Sequence, residues 1–553
     1  MRIESNVTKA QIEEYTSLGF WDKWTFCDYV KRWGRSSPEK EALIDSRRRL
    51  TWSELRTMMD RLALNFLELG LKGGDLVVVQ SPNSIEAVVT EFALARIGAC
   101  VVPVPMQWRE HELDYVIRET EAPAVIIPAE YKGFDYAAML RDSQTRHPSL
   151  KHIIALGASP PPGTVSFEEM SENDIEKRYA SDHLDKGFKI DANNVLTLCY
   201  TSGTEAEPKG CPRTHNHWKC FERSAFLGHL MQNVNDRVVI SLPWFNLFGQ
   251  SVGILPMIMV GGTLILLDGF HPATMAETIA KEKATLYAGV PAMHISLLNY
   301  SKLDQYDMSS LRVIASGGAP CPTDTIKQLM ERFGCLVWNG FGSNEGYLNV
   351  TEVGMEPELV STTMGTRQLY SQVKIVDKEG HRLGVGEVGE FCQKAPFLIA
   401  GYYKRPDLNA KKWDNEGFYH TGDACYLDEH GFYRFVSRIS DMIIRAGMNV
   451  SAEEVEAVLY RHPKVLHAAV VGMPASTQGE RICAYIELKP DAETVTRKEI
   501  RDFMGEQNVA RYKWPDRIEI VRKLPRTPTG KVLKKDLRDD IAAKVDRPKN
   551  RAA

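Results

Sequence analysis

VLTLCYTSGTEAEPKG, residues 195–210, is the stretch from which the architecture can be read. Its first six residues form a continuous apolar run, the pattern of a strand buried on both faces. The run enters a loop of small hydroxyl residues and glycine, Thr201, Ser202, Gly203 and Thr204, and Lys209 follows. Backbone N–H groups, hydroxyls and an ammonium suit a polyphosphate. The loop is not a Walker A motif, because Cys211 stands after Gly210 where that motif needs lysine. A polar surface turn would carry the same residues.

Working outward, other apolar runs alternate with helical patterns. LVVVQ (76–80) is strand-like and precedes a helical run over 84–97, while TLILL, TLYAGV and LRVIASGG are further buried-strand candidates. Such alternation predicts α/β layering with sheets covered on both faces. The most apolar stretch, 252–267, contains Pro256, Gly261 and Gly262 and falls short of the roughly 20 residues of a bilayer span. It reads as a buried helix followed by a core strand. The last hundred or so residues differ. Ser451 with Glu454, and Thr496 with Glu499, have capping-box spacing before helices, and VLHAAVVGM, RICAYIEL and RIEIVRK read as strands. The expected fold class is therefore α/β. A large N-terminal body of several subdomains spans residues 1–437, and a small α+β domain spans 438–553, with the joint near 437–441.

The composition narrows the function classes. The chain has 553 residues, enough for several cores, and 68 basic against 72 acidic side chains give a net charge of −4. That balance disfavours a general nucleic-acid coat. The ten cysteines are scattered without a CxxC pair, which fits free thiols in a reducing cytoplasm better than a disulfide framework. The first twenty residues have no apolar core of signal-peptide length.

Residues 200–210 resemble the Tyr-Thr-Ser-Gly-Thr-Thr-Gly-x-Pro-Lys-Gly signature of acyl-adenylate-forming enzymes. That superfamily holds AMP-forming acyl-CoA synthetases, aryl-acid AMP ligases, peptide-synthetase adenylation domains and beetle luciferases. Five more segments match in the family's order. SGGAP (316–320) resembles its adenine-pocket segment, and NGFGSNE (339–345) resembles Asn-x-Tyr-Gly-x-Thr-Glu. YHTGD (419–423) resembles the ribose-binding Thr-Gly-Asp motif, Ser437-Arg438 with Asp441 the domain crossover, and PRTPTGK (525–531) the catalytic-lysine motif.

The resemblance implies a role for each residue. A carboxylate attacks the α-phosphorus of ATP and expels pyrophosphate, so two anions must be brought together by placed positive charge. Lys531 corresponds to the lysine that bridges carboxylate and α-phosphate, and Glu345 to the carboxylate that holds Mg²⁺. Asp423 would accept from both ribose hydroxyls and Arg438 would contact ribose or phosphate. Asn339 would read the adenine amino group, with Gly318, Ala319 and Pro320 against the ring. Gly340, Phe341, Gly342 and Asn344 complete the nucleotide segment. Thr201, Ser202, Gly203, Thr204 and Lys209 would hold the departing pyrophosphate.

Three departures from the family pattern stand out. Glu205-Ala206 replaces Thr-Gly in the phosphate loop, bringing an acid toward phosphates and removing a freely rotating glycine. Asn344 replaces threonine but still has a donor. Phe341 replaces tyrosine, keeping a stacking face and losing a hydroxyl.

In the family's CoA ligases the C-terminal domain turns after adenylation. Ser440 occupies the position that resembles the hinge, and Ala446 and Gly447 resemble the small residues of the pantetheine channel. PWFNLFG (243–249) resembles the segment bordering the acyl pocket, with Asn246 where histidine is common. Trp244, Phe245, Asn246, Gly317 and Trp338 are the expected pocket residues, although aromatic residues also build ordinary cores. The resemblance implies an AMP-forming carboxylate–CoA ligase for a small aromatic, alicyclic or short branched acid. ATP and CoA would be substrates, Mg²⁺ the cofactor, and the protein a cytoplasmic monomer or homodimer with no membrane span. PRTH (212–215) is similar to aryl-acid AMP ligases, so loading of a carrier-protein phosphopantetheine is the alternative. A non-catalytic acyl- or nucleotide-binding protein is the alternative of another class.

Overall fold

VLTLCY forms the strand Val195–Tyr200, buried along its whole length. It belongs to a computed structural model that describes residues 5–157, 159–201, 208–445, 448–475, 479–490, 492–507, 509–526 and 532–546. These residues fall into two compact units. One contains the described residues up to Thr201, Lys209–Gln372 and Lys394–Gly417; the other contains Val373–Gln393 and the described residues from Phe418 onward.

The first unit is built on two α/β sheets. In the seven-stranded sheet, Val195–Tyr200 lies between Gly210–Thr214, antiparallel to it, and Cys100–Val104, parallel to it. Leu76–Gln80, Ala124–Pro128, His152–Leu156 and Val165–Ser166 continue the sheet. The eight-stranded sheet is parallel through Leu336–Gly342, Val313–Gly317, Leu286–Gly289, Arg237–Ile240, Thr263–Leu266 and Glu41–Ile44, with an antiparallel strand at either edge. The 252–267 stretch ends as expected, with the helix Leu255–Val260 followed by the strand Thr263–Leu266.

The helical run over 84–97 becomes Ile85–Arg96, whose first turn is capped by the Ser84 hydroxyl accepting from Ala87 N. All of its residues are buried, including Glu91. The Glu91 carboxyl accepts from Gln250 Nε2 at 2.8 Å. Burial pushes its pKa up to about 7, against the smaller opposing effect of the Gln250 hydrogen bond. A group whose folded pKa is raised lends stability at low pH and loses it as pH rises from its unfolded value through its folded one. The first unit should therefore lose stability between about pH 4.5 and 7. At about 1.4 kcal/mol for each pH unit, the loss is ~3 kcal/mol. Glu91→Gln should flatten that slope and raise Tm at pH 8; parallel Tm profiles for both proteins across this window would contradict the assignment.

The second unit carries an antiparallel sheet, Gln372–Val376, Gly389–Lys394, Tyr419–Leu427 and Tyr433–Arg438. A single 3-10 turn, Ile439–Asp441, links it to a five-stranded sheet. There Val465–Ala475 and Gly479–Leu488 pair antiparallel, and Arg517–Val521 adds in parallel. The caps at Ser451 and Thr496 form, each hydroxyl accepting from the backbone N three residues on, and open the helices Ala452–Leu459 and Arg497–Glu506. All ten cysteines are free and buried. Among the described residues no helix is long and apolar enough to cross a membrane.

Candidate active site

The candidate nucleotide segments of the first unit lie at the carboxyl ends of adjacent parallel strands. Ser316 stands opposite Asn339, and Gly317 opposite Gly340. Open α/β sheets bind ligands at these ends. Gly318, Ala319 and Pro320 are exposed just beyond Val313–Gly317, and Gly318 takes a left-handed φ of 79° to turn the chain. Asn339 is fixed from two sides: its backbone N donates to Thr351 Oγ1 at 2.9 Å and its Nδ2 to Val360 O at 3.4 Å. Its Oδ1 is buried with no hydrogen-bond partner among the described residues. A buried lone acceptor is costly unless a ligand donates to it, and an adenine amino group is such a donor. Asn339→Leu should raise the KM for ATP about tenfold, the value of one such bond, with little change in kcat. An unchanged KM would remove Asn339 from the adenine site.

Glu345 is held by both carboxylate oxygens. Ser343 Oγ donates to Oε2 at 2.6 Å, and Tyr402 Oη donates to Oε1 at 2.7 Å. A fixed carboxylate matches a hard cation such as Mg²⁺, which takes one or two protein oxygens and fills the rest of its shell with water and phosphate. Gly346 follows at φ 97°, and a Cβ there would lie 1.8 Å from Arg213 Nη2. Arg213, of the PRTH stretch, is fully buried with its guanidinium 4.5 Å from the Trp218 ring centroid, and desolvation pulls its pKa down to about 10. The Asn344 amide bridges two candidate segments: Nδ2 donates to Tyr200 O at 3.2 Å, and Oδ1 accepts from Leu247 N at 3.2 Å. Phe341 packs against Tyr347 with ring planes tilted by 51° and centroids 5.7 Å apart, and Gly342 ends the strand Leu336–Gly342.

At the mouth of the phosphate loop, Thr201 N donates to Lys209 O at 2.9 Å and Lys209 N to Thr201 Oγ1 at 3.3 Å. The Lys209 ammonium sits 5.5 Å from the Tyr402 ring centroid. Ser202, Gly203, Thr204, Glu205 and Ala206 lie outside the described residues, as do Ala446, Gly447 and Lys531.

The second unit holds Asp423 and Arg438. They face each other across the strands Tyr419–Leu427 and Tyr433–Arg438, and Arg438 Nε lies 2.7 Å from Asp423 Oδ1. The motif sits on a bulge. Between the pairs Glu390↔Ala424 and Cys392↔His420, residues 421–423 oppose Phe391 alone. Thr421 Oγ1 donates to Phe391 O at 2.7 Å, and Gly422 N donates to Glu390 Oε1 at 2.8 Å. Bulges of this kind re-aim a side chain out of the regular pleat. Ser440 lies in the 3-10 turn after Arg438.

The expected acid-pocket residues separate into two sorts. Trp244 is a buried anchor, its backbone N donating to Asn83 Oδ1 at 2.9 Å and its Nε1 to Ser81 O at 2.7 Å. Asn246 Oδ1 accepts from Gly249 N at 2.8 Å and caps the turn Leu247–Gly249. Phe245 is half-buried. A Cβ at Gly317 would lie 3.1 Å from both Gly340 O and Phe248 Cζ, so its smallness keeps that space open. Trp338 is fully buried against Phe226, with ring centroids 5.1 Å apart. Tyr402, Thr351 and Glu390, which position these groups, carry no local sequence signal, because each acts across strands or loops; Ser343 acts from two residues away, inside the segment 339–345.

The pattern of AMP-binding enzymes matches residues 30–403 and that of the AMP-binding enzyme C-terminal domain residues 454–531. The chain belongs to the AMP-binding enzyme family. It is 32% identical to a 2,3-dihydroxybenzoate-AMP ligase of Bacillus subtilis, covering 96% of each chain. It is 31% identical to a 2-hydroxy-7-methoxy-5-methyl-1-naphthoate–CoA ligase of Streptomyces carzinostaticus, covering 95% of this chain and 94% of that one. Its fold is similar to that of the anthranilate CoA ligase AuaEII, with a TM-score of 0.83 at 23% identity over 95% of this chain and 98% of that one. This AMP-binding enzyme is thus an adenylate-forming ligase whose relatives include both CoA ligases and AMP ligases.

Proposed function

We propose that the protein is an AMP-forming carboxylate–CoA ligase for a small ring or short branched acid. The observation that carries adenylation is Glu345, whose two carboxylate oxygens are fixed by Ser343 and Tyr402. In this reading Asn339 Oδ1 accepts from the adenine amino group, Asp423 accepts from the ribose hydroxyls, and Arg438 orients Asp423 and meets the sugar or phosphate. Glu345 would hold Mg²⁺, which when bound supplies charge neutralisation on the phosphates. By the family resemblance Lys531 and Lys209 would supply the positive charge that two anions need to meet, so that the acid's oxygen reaches the α-phosphorus and pyrophosphate leaves.

The second half-reaction is the thiol's attack on the acyl-AMP carbonyl, with AMP as the leaving group. The 437/438 boundary and a hinge at Ser440 belong to this proposal, supported by the single turn Ile439–Asp441 between two sheets. Ala446 and Gly447 would line the pantetheine channel. The protein would work in the cytoplasm, in keeping with its ten free cysteines. Trp338, Phe226 and Phe248, with the space kept by Gly317, favour a compact apolar acid. A second reading, loading of a carrier-protein phosphopantetheine, is favoured by the PRTH stretch and by the likeness to the 2,3-dihydroxybenzoate-AMP ligase. The test is acid-dependent ATP–pyrophosphate exchange across a panel of carboxylic acids. Exchange should be strongest with small ring acids; preference for long-chain fatty acids would reject the substrate class.

A further inference from the structure

The second unit gathers three metal-ligating side chains on one face of an antiparallel pair. Cys392 and His420 are direct cross-strand partners, and Glu390 lies two residues from Cys392 along the strand Gly389–Lys394. His420 Nδ1 is 2.8 Å from Glu390 Oε2 and 3.4 Å from Cys392 Sγ. The three ligand atoms all lie within 4.8 Å of one another. The bland reading is that Cys392 fills a small core with Val376 and Phe418 while Glu390 and His420 form an ion pair.

The ligand set argues for more. A tetrahedral Zn²⁺ bound by sulfur, nitrogen and oxygen at about 2.3, 2.0 and 2.0 Å separates its ligands by about 3.3–3.6 Å. The Sγ–Nδ1 separation already has that value, and the Nδ1–Oε2 hydrogen bond needs to widen by about half an ångström. We propose that Glu390, Cys392 and His420 bind a thiophilic divalent cation of the Zn²⁺ class, with water in the fourth position. The thiolate and imidazole select against Mg²⁺, which prefers oxygen. On binding, the Cys392 thiol releases its proton and His420 carries its hydrogen on Nε2. Glu390 Oε1 stays on Gly422 N, so the cation would be tied to the turn that carries Asp423.

The full chain, stripped with chelator and held in excess Mg²⁺, would be titrated with Co²⁺. The expected result is one equivalent bound, with a near-ultraviolet thiolate-to-cobalt charge-transfer band that Zn²⁺ displaces. Cys392→Ser should abolish the band. Glu390→Gln and His420→Gln should each weaken binding by more than about tenfold, because even outer partners of metal ligands matter that much. The double Glu390→Gln/His420→Gln protein keeps the thiol and must also lose the band. No band in the wild-type protein, or an undiminished band in Cys392→Ser or in the double variant, would overturn the site.

Discussion

Lys531→Ala should cut acid-dependent ATP–pyrophosphate exchange by about 10²–10³-fold, the cost of one placed transition-state donor. It should leave CoA-dependent AMP release from supplied acyl-AMP close to wild type. The difference between the two half-reactions is electrostatic. A carboxylate and an α-phosphate repel each other until a cation sits between them, whereas a thiol attacking a carbonyl meets no such barrier. A structural role for Lys531 predicts the opposite pattern, with both half-reactions falling together. Wild-type-like exchange would show that the lysine of PRTPTGK does not act in adenylation.

Asp423→Asn is the second large effect expected. Asp423 is fully buried and faces Arg438 across the sheet. As a ribose acceptor it would make two hydrogen bonds to an ionised group, each worth about 1.5–3 kcal/mol, so kcat/KM for ATP should fall about a hundredfold or more. Breaking a fully buried pair costs about 3–5 kcal/mol of stability, and the part-exposed Arg438 reduces that figure here. The expected signature is therefore a modest drop in Tm with a large loss in ATP use. Unchanged kcat/KM would leave the Asp423–Arg438 pair a structural feature of the hairpin.

What the sequence revealed followed the range of the forces involved. Strands such as LVVVQ and VLTLCY were legible because burial on both faces demands continuous apolar residues. The caps at Ser84, Ser451 and Thr496 are local hydrogen bonds, so helix starts were readable or nearly so. Asp423 and Arg438 were found as separate motif residues, but their pairing came only from the register of two strands. Tyr402 could not be assigned to Glu345, because it stands 57 positions further along the chain and no local pattern links the two. The tie that the Asn344 amide makes between Tyr200 O and Leu247 N was also hidden, because its partners stand far away in the sequence. The cross-strand meeting of Cys392 and His420 was equally invisible, because a bulge sets which residues face each other.

Transfer of the adenylate to free CoA is the step that separates the two classes of ligase. The direct measurement is acyl-CoA and AMP formation from ATP, CoA and the best acid of the panel, with no carrier protein present. Acyl-CoA and AMP should form in equal amounts over many turnovers. Adenylate formation without acyl-CoA, with turnover restored only by a phosphopantetheinylated carrier protein, would contradict it.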